Sequence, residues 1–293
     1  SVRGCAANSS GKVIVSVSWD TTIRVWNGSD GKCVSTLRTP RQRNTPLNCV
    51  AFHPEGQLVV VGCWDASLKV WDTYNQKRVK TLKGHKTSIQ ACAYAPSGRH
   101  IVSAALDGEV RIWSTKSDTA VGTIAGHHDP VNSVTFTPNG QYLVTASSDK
   151  LVQACSGTLG QPVASLGSAE FGFAHCMTFH SPTQTVRVGY HDGHVRNFNI
   201  QTGAVLFASK LHSAAVIGLA YRDKLTMSAS VDGSIKVWTP PSLPKYFSLV
   251  GHKAAISCAV WDVKGFASAS EDLSILIWPH DPRAYVKQAK STK

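Results

Sequence analysis

Residues 84–113 read GHKTSIQACAYAPSGRHIVSAALDGEVRIW, and this stretch decides the fold. It opens on Gly84-His85, turns at Pro96-Ser97-Gly98, and ends in Asp107 followed six residues later by Trp113. Outward along the chain, the same Asp-to-aromatic spacing recurs as Asp20/Trp26, Asp65/Trp71, Asp192/Phe198, Asp232/Trp238 and Asp272/Trp278. Asp149/Cys155 keeps the spacing without the ring. Successive Asp residues lie 45, 42, 42, 43, 40 and 40 positions apart. A period near 40 in registered copies is the mark of a repeat architecture.

Each unit holds short apolar or alternating runs separated by turn residues. In the second, Leu47–Phe52, Gln57–Gly62, Ser67–Trp71 and Arg78–Leu82 are strand candidates. His53-Pro54-Glu55-Gly56, Trp64-Asp65-Ala66 and 73–77 separate them. Runs of five or six rich in β-branched residues are too short for helices and suit tight hairpins. No segment has helical periodicity. Four strands in each of seven units predict an all-β, seven-bladed β-propeller over 1–293, a single domain whose closed ring removes most sheet edges.

Gly84-His85, Gly126-His127 and Gly251-His252 each open a unit that ends in the Asp hairpin, and in this the chain resembles the WD-repeat family. The resemblance spans essentially the whole chain. It implies that His, Ser or Thr, Asp and Trp form buried wiring in each blade: His85, Ser103, Asp107 and Trp113; His212, Ser228, Asp232 and Trp238; His252, Ser268, Asp272 and Trp278. Departures predict weaker pinning. The second and fifth units lack Gly-His and carry Val61 and Val188 at the hydroxyl position, and the fourth ends in Cys155. Complete wiring is therefore expected in blades three, six and seven. The first unit begins within its innermost strand, so a closing outer strand for the last blade is expected from Arg283–Ala289 or from chain beyond this sequence. The opening on Ser1 reads as a piece of a longer protein, and the irregular repeats resemble the C-terminal arrays of telomerase-associated and NACHT- or apoptosome-type multidomain proteins.

Apolar residues make up 42% of 293, enough for a sizeable core, and no run approaches the length needed to span a bilayer as a helix. No membrane association is expected. The eight cysteines show no C-x-x-C pair, and most sit in apolar alternation. They read as small buried hydrophobes of a reducing compartment, so an intracellular and preferentially cytoplasmic setting is expected.

Several constellations imitate chemistry. His85, Ser103 and Asp107 look like a nucleophile, base and orienter, but the set recurs in other blades at fixed register with no oxyanion device. It reads as wiring, and no catalytic residue is assigned. His191-Asp192-Gly193-His194 and His127-His128-Asp129 are the densest ligand clusters, yet no four-ligand set emerges and no metal is expected. Gly4 to Gly11-Lys12 lacks the spacing and following helix of a phosphate loop. Neither a cofactor nor a small-molecule substrate is expected.

In propellers of this resemblance, the hairpin Asp lies on one rim, the upper face. The residues just before it are Trp19, Trp64, Leu106, Ser148, His191, Val231 and Glu271. Exposed tryptophans on adjacent blades suit a binding hot spot. Beside them, the loop Leu37–Pro46 carries Arg38, Arg41 and Arg43, and Lys83 and Lys86 enter the next blade. With a formal charge of +12 overall, this rim suits an acidic or phosphorylated protein segment, with single-stranded RNA as the alternative. The expected function is a non-catalytic protein-interaction scaffold within a larger assembly; the alternative is a ribonucleoprotein module.

Overall fold

The computed structural model describes residues 1–38, 45–157, 160–167, 169–180, 185–222, 225–238, 246–261, 265–272 and 274–279. They form seven antiparallel sheets, each built from strands consecutive in sequence. Six sheets have four strands, and the seventh has three among the described residues. Arg283–Ala289, the expected closing strand, lies outside them. The second unit follows its sequence reading to within a residue or two: Leu47–Phe52, Leu58–Cys63, Ser67–Asp72 and Lys77–Lys83. The helical content of the described residues is one 3-10 turn, Ala169–Phe171. None of their helices is long and apolar enough to cross a membrane.

The innermost strands are Val2–Ala7, Leu47–Phe52, Ile89–Tyr94, Val131–Phe136, Ala174–His180, Val216–Arg222 and Ile256–Trp261. Each packs against the next, and Ile256–Trp261 packs against Val2–Ala7, so the ring closes. Position within a blade sets the strand's composition. The second strands have a neighbouring blade on both faces, so they are continuous apolar or small runs such as Leu58–Cys63, with Val59, Val60 and Val61 fully buried. Outer strands meet solvent and leave Val34 and Val79 exposed.

Between blades, the facing side chains merge into shared apolar cores. Blades one and two bury Val15, Ile23, Val59 and Trp71 together; blades four and five bury Val144, Val186, Tyr190 and Phe198. The ring of Phe198, where other units carry Trp, meets Phe171 at 6.1 Å between centroids. Such packing is the main stabilising term, since each fully buried large side chain contributes roughly 1.5–3 kcal/mol.

Candidate partner-binding face

The hairpin before each third strand positions the candidate residues. In every blade the amide preceding the hairpin Asp donates to a carbonyl at the entrance of the same blade's innermost strand. The bonds are Trp19 to Ser1, Trp64 to Pro46, Leu106 to Ser88, Ser148 to Pro130, His191 to Phe173, Val231 to Ala215 and Glu271 to Ala255, at 2.9–3.0 Å. Sevenfold repetition sets these residues on one circle around the axis, on one face.

On that circle Trp19 and Trp64 are 41% and 51% exposed. Their rings meet edge to face at 5.9 Å. Trp19 is held from two further sides: its indole N–H donates to Asn48 Oδ1 at 3.1 Å, and the Arg3 guanidinium lies 3.7 Å over the ring. Asn48 is itself fixed by donating to Ser88 Oγ and to the Ile89 carbonyl, both 2.9 Å away on the next blade. The pair is therefore a rigid, half-solvated aromatic corner. Leu106 continues it on blade three as an exposed apolar side chain. His191 stands away on blade five, where its Nδ1 lies 3.1 Å from His175 Nε2. Sequence reading singled out neither Arg3 nor Asn48. Both fall at the register shift of an innermost strand, one residue before Gly4 or Cys49.

The cations lie farther out. Arg38 pairs in register with Thr22, and Lys83 with Ser67, two residues past the hairpin Asp on the outermost strands. The tryptophans follow directly on the second strands, so two strand spacings put these cations roughly 10 Å outward of the tryptophan circle. Lys86, in the loop entering blade three, is exposed. Arg41 and Arg43 lie outside the described residues. Lys69, Arg78 and Lys83, with Thr45, Asp65 and His85, line a cleft of about 720 Å³ in blade two. Lys69 Nζ lies 3.4 Å from Asp65, which leaves the cleft an excess of positive charge.

Beneath this face runs the wiring. In blades four, six and seven the His Nδ1 donates to the hairpin carboxylate: His127 to Asp149 at 2.7 Å, His212 to Asp232 at 3.0 Å and His252 to Asp272 at 3.0 Å. Nε2 meets the strand hydroxyl of Thr145, Ser228 or Ser268 at 2.7–2.8 Å. In blade seven Trp278 completes the set by donating to Ser268 at 2.7 Å. With its acceptors and donors thus satisfied inside the fold, the Ser–His–Asp set is internal support.

Two expectations are corrected. Blade three is not completely wired: His85 bonds Ser103 at 2.6 Å and Trp113 donates to Ser103 at 2.8 Å, but the buried His85 Nδ1 has no hydrogen-bond partner, and Asp107 keeps only the hairpin amide of Glu109 that its counterparts in other blades also accept. Glu109 occupies the position where Thr22, Ser67, Ser234 and Ser274 use a hydroxyl to cap the Asp. It brings a second carboxylate to His85, 3.5 Å from Nδ1. Blade four, by contrast, is firmly pinned despite Cys155, because the His–Asp bond does not need the ring. Blade two is weak as expected: with Val61 in place of a hydroxyl, the buried Trp71 indole N–H has no partner. The ligand atoms of His85, Asp107 and Glu109 lie within 4.8 Å of one another. However, Arg111 already holds both Glu109 oxygens, at 2.9 and 3.0 Å, and a guanidinium there disfavours a cation.

Titration of the wiring has a definite sign. Burial holds His85 and His212 below the usual imidazole range, against the opposing pull of Glu109 and Asp232. Burial also works against the Asp232 carboxylate, but hydrogen bonds from Ser234 and His212 outweigh it and bring Asp232 down to about 2. A depressed His contributes stability that is complete above its unfolded pKa and lost as pH falls below about 6.5. A depressed Asp contributes stability complete above about 3.9 and lost toward its folded value. Thermal melts are expected to be flat between about pH 7 and 8, to decline first below about 6.5 and to decline again below about 4, while the raised buried thiols lower stability above about 8.5. A melting temperature that rises between pH 6.5 and 5 contradicts this wiring.

A family model described as WD domain, G-beta repeat matches residues 1–27, 31–72, 76–114 and 118–153, close to one segment for each of the first four blades. The same strand order and hairpin Asp continue through the remaining three. Propellers of this kind generally serve as protein-interaction scaffolds. Matched repeats, a closed ring of seven sheets and the His–Ser/Thr–Asp wiring together place the chain in the WD40-repeat family.

Proposed function

We propose that the protein is a non-catalytic docking platform in a larger intracellular assembly, and that the axial face over blades one to three holds an acidic or phosphorylated segment of a protein partner. The observation that carries this reading is the Trp19–Trp64 corner: two large aromatic rings, half exposed and pre-ordered by Arg3 and Asn48. Pre-ordered tryptophans lose little freedom on binding and are enriched among hot spots. The blade-two cleft with Lys69, Arg78 and Lys83 supplies the complementary charge. A bound segment would then run radially, its apolar side chain on the aromatic corner and its anionic group in the cleft.

The test is titration of the purified chain with tryptophan- or leucine-containing acidic peptides, their phosphorylated counterparts and single-stranded RNA, at low and physiological salt. Trp19→Ala with Trp64→Ala is expected to weaken peptide binding by about 30-fold or more, since hot-spot truncation costs about 2 kcal/mol or more. Melting should barely move, because both rings are half exposed. Arg78→Ala with Lys83→Ala should weaken anionic peptides only. Peptide binding that survives the double tryptophan change removes the patch from consideration. RNA binding that persists at physiological salt while peptides fail to bind replaces the protein reading with the nucleic-acid one.

A further inference from the structure

Four of the eight cysteines meet in pairs at the junctions between blades. Cys49 Sγ lies 3.3 Å from Cys92 Sγ, between blades two and three. Cys5 and Cys258 face each other across the closure between blades one and seven, where Val2–Ala7 packs against Ile256–Trp261, and each thiol is felt by the other. All four are free thiols, half-buried beside the axis.

Both pairs occupy the same place in the architecture. Cys49 and Cys258 each stand one register position inside the strand entrance, opposite Gly62 and Ala269. Cys92 and Cys5 each stand one position further in, opposite Ser103 and Ser16. Successive side chains on a strand point to opposite faces, so the first position faces the next blade and the second faces the previous one. Cysteines therefore meet only where both positions hold one. Blade five shows the contrast: Cys176 takes the first position, has Leu219 opposite, and turns its thiol to the Val216 carbonyl at 3.4 Å.

We propose that Cys49–Cys92 and Cys5–Cys258 are paired oxidation sites, each closing to a disulfide when a peroxide reaches it. One sulfur, as thiolate, attacks a peroxide oxygen. The O–O bond breaks, leaving a sulfenic acid and hydroxide, which takes up the released proton as water. The second sulfur then displaces the sulfenic oxygen as a second water and the S–S bond forms. Two thiols are oxidised by two electrons and one peroxide is reduced. In the Cys49–Cys92 pair the sulfurs need approach by only about 1.3 Å, from contact to bond length.

The surroundings set the speed. The mutual hydrogen bond, and then burial, hold the Cys49 and Cys5 thiols well above their usual range. Few thiolates exist at neutral pH, so the reaction is slow and selective for geometry rather than for acidity. The outcome is two covalent links between neighbouring blades, one beside the tryptophan corner and one across the closure of the ring.

The test uses the full chain, reduced, desalted and treated with hydrogen peroxide while folded, then blocked with N-ethylmaleimide in denaturant and mapped by mass spectrometry. The expected products are linked peptides Cys49–Cys92 and Cys5–Cys258, each lighter by two hydrogens, with an initial rate rising about tenfold per pH unit between 7 and 9. Cys92→Ser should remove only the first link and Cys258→Ser only the second. Chain oxidised in concentrated urea should give mixed pairings, a control that holds even where a variant folds poorly. If the folded chain oxidises at exposed Cys33 while neither link forms, or links its cysteines indiscriminately, the proposal is overturned.

Discussion

Trp113→Ala is expected to remove about 3–5 kcal/mol of stability, the range for a buried large ring cut back to a methyl group. Trp113 is 1% exposed. It fills the core shared by blades two and three with Val60, Leu68, Leu82 and Ile101. Its indole also donates to Ser103, the hydroxyl that His85 meets from the other side, so truncation opens a cavity and loosens a buried hydrogen-bond set together. Urea unfolding followed by circular dichroism measures the loss. Trp71 provides the internal comparison. It has the same place in blade two, but Val61 leaves its N–H without a partner. Trp71→Phe should therefore cost about 1 kcal/mol less than Trp113→Phe, the net worth of one hydrogen bond. Equal losses contradict that assignment.

Gly193→Ala is expected to cost about 2–4 kcal/mol, by combining backbone strain with overpacking. Gly193 sits in the hairpin of blade five with φ of +83°. A Cβ there would press on the carbonyl of His212, in the loop that enters blade six. That loop leans on Gly193 in return, because the amides of Leu211 and His212 both donate to its carbonyl at 3.1 Å. The substitution should show as lower thermal stability and as faster hydrogen exchange at Leu211 and His212. Gly172 also has a positive φ, +78°, but open space where a Cβ would go. Gly172→Ala should cost no more than the backbone term, about 1–2 kcal/mol.

The hairpins were legible because Asp must lie a constant distance before the third strand in every blade, and a constant distance is visible in one dimension. Strand limits follow from turn chemistry at Pro54 and Pro96. The quality of the wiring was less legible. Counting His, Ser and Asp credited blade three, but the residue two past the Asp decides whether the carboxylate is capped by a hydroxyl, as in blades six and seven, or is rivalled by Glu109. Cys155 misled in the opposite direction, since losing the ring does not affect the His127–Asp149 bond. The Trp19–Trp64 contact and the Cys49–Cys92 pair join residues about one repeat apart. The 43-residue separation of Cys49 and Cys92, against 42 between Asp65 and Asp107, was a readable sign of neighbours displaced by one step. What no spacing reveals is Arg3 folding over Trp19, because that contact depends on side-chain direction.

The closure between the seventh blade and the first has a kinetic consequence. Contacts at every other junction join stretches about forty residues apart, so most of the propeller is a chain of short-range encounters that can condense one after another as the polypeptide emerges. The meeting of Val2–Ala7 with Ile256–Trp261 carries by far the largest loop-closure entropy and must come last. Until then the first blade lacks the neighbour that Ile256–Trp261 supplies. The propeller therefore passes through an open arc, and the flank of the first blade that Ile256–Trp261 finally covers is the one that waits longest for its neighbour.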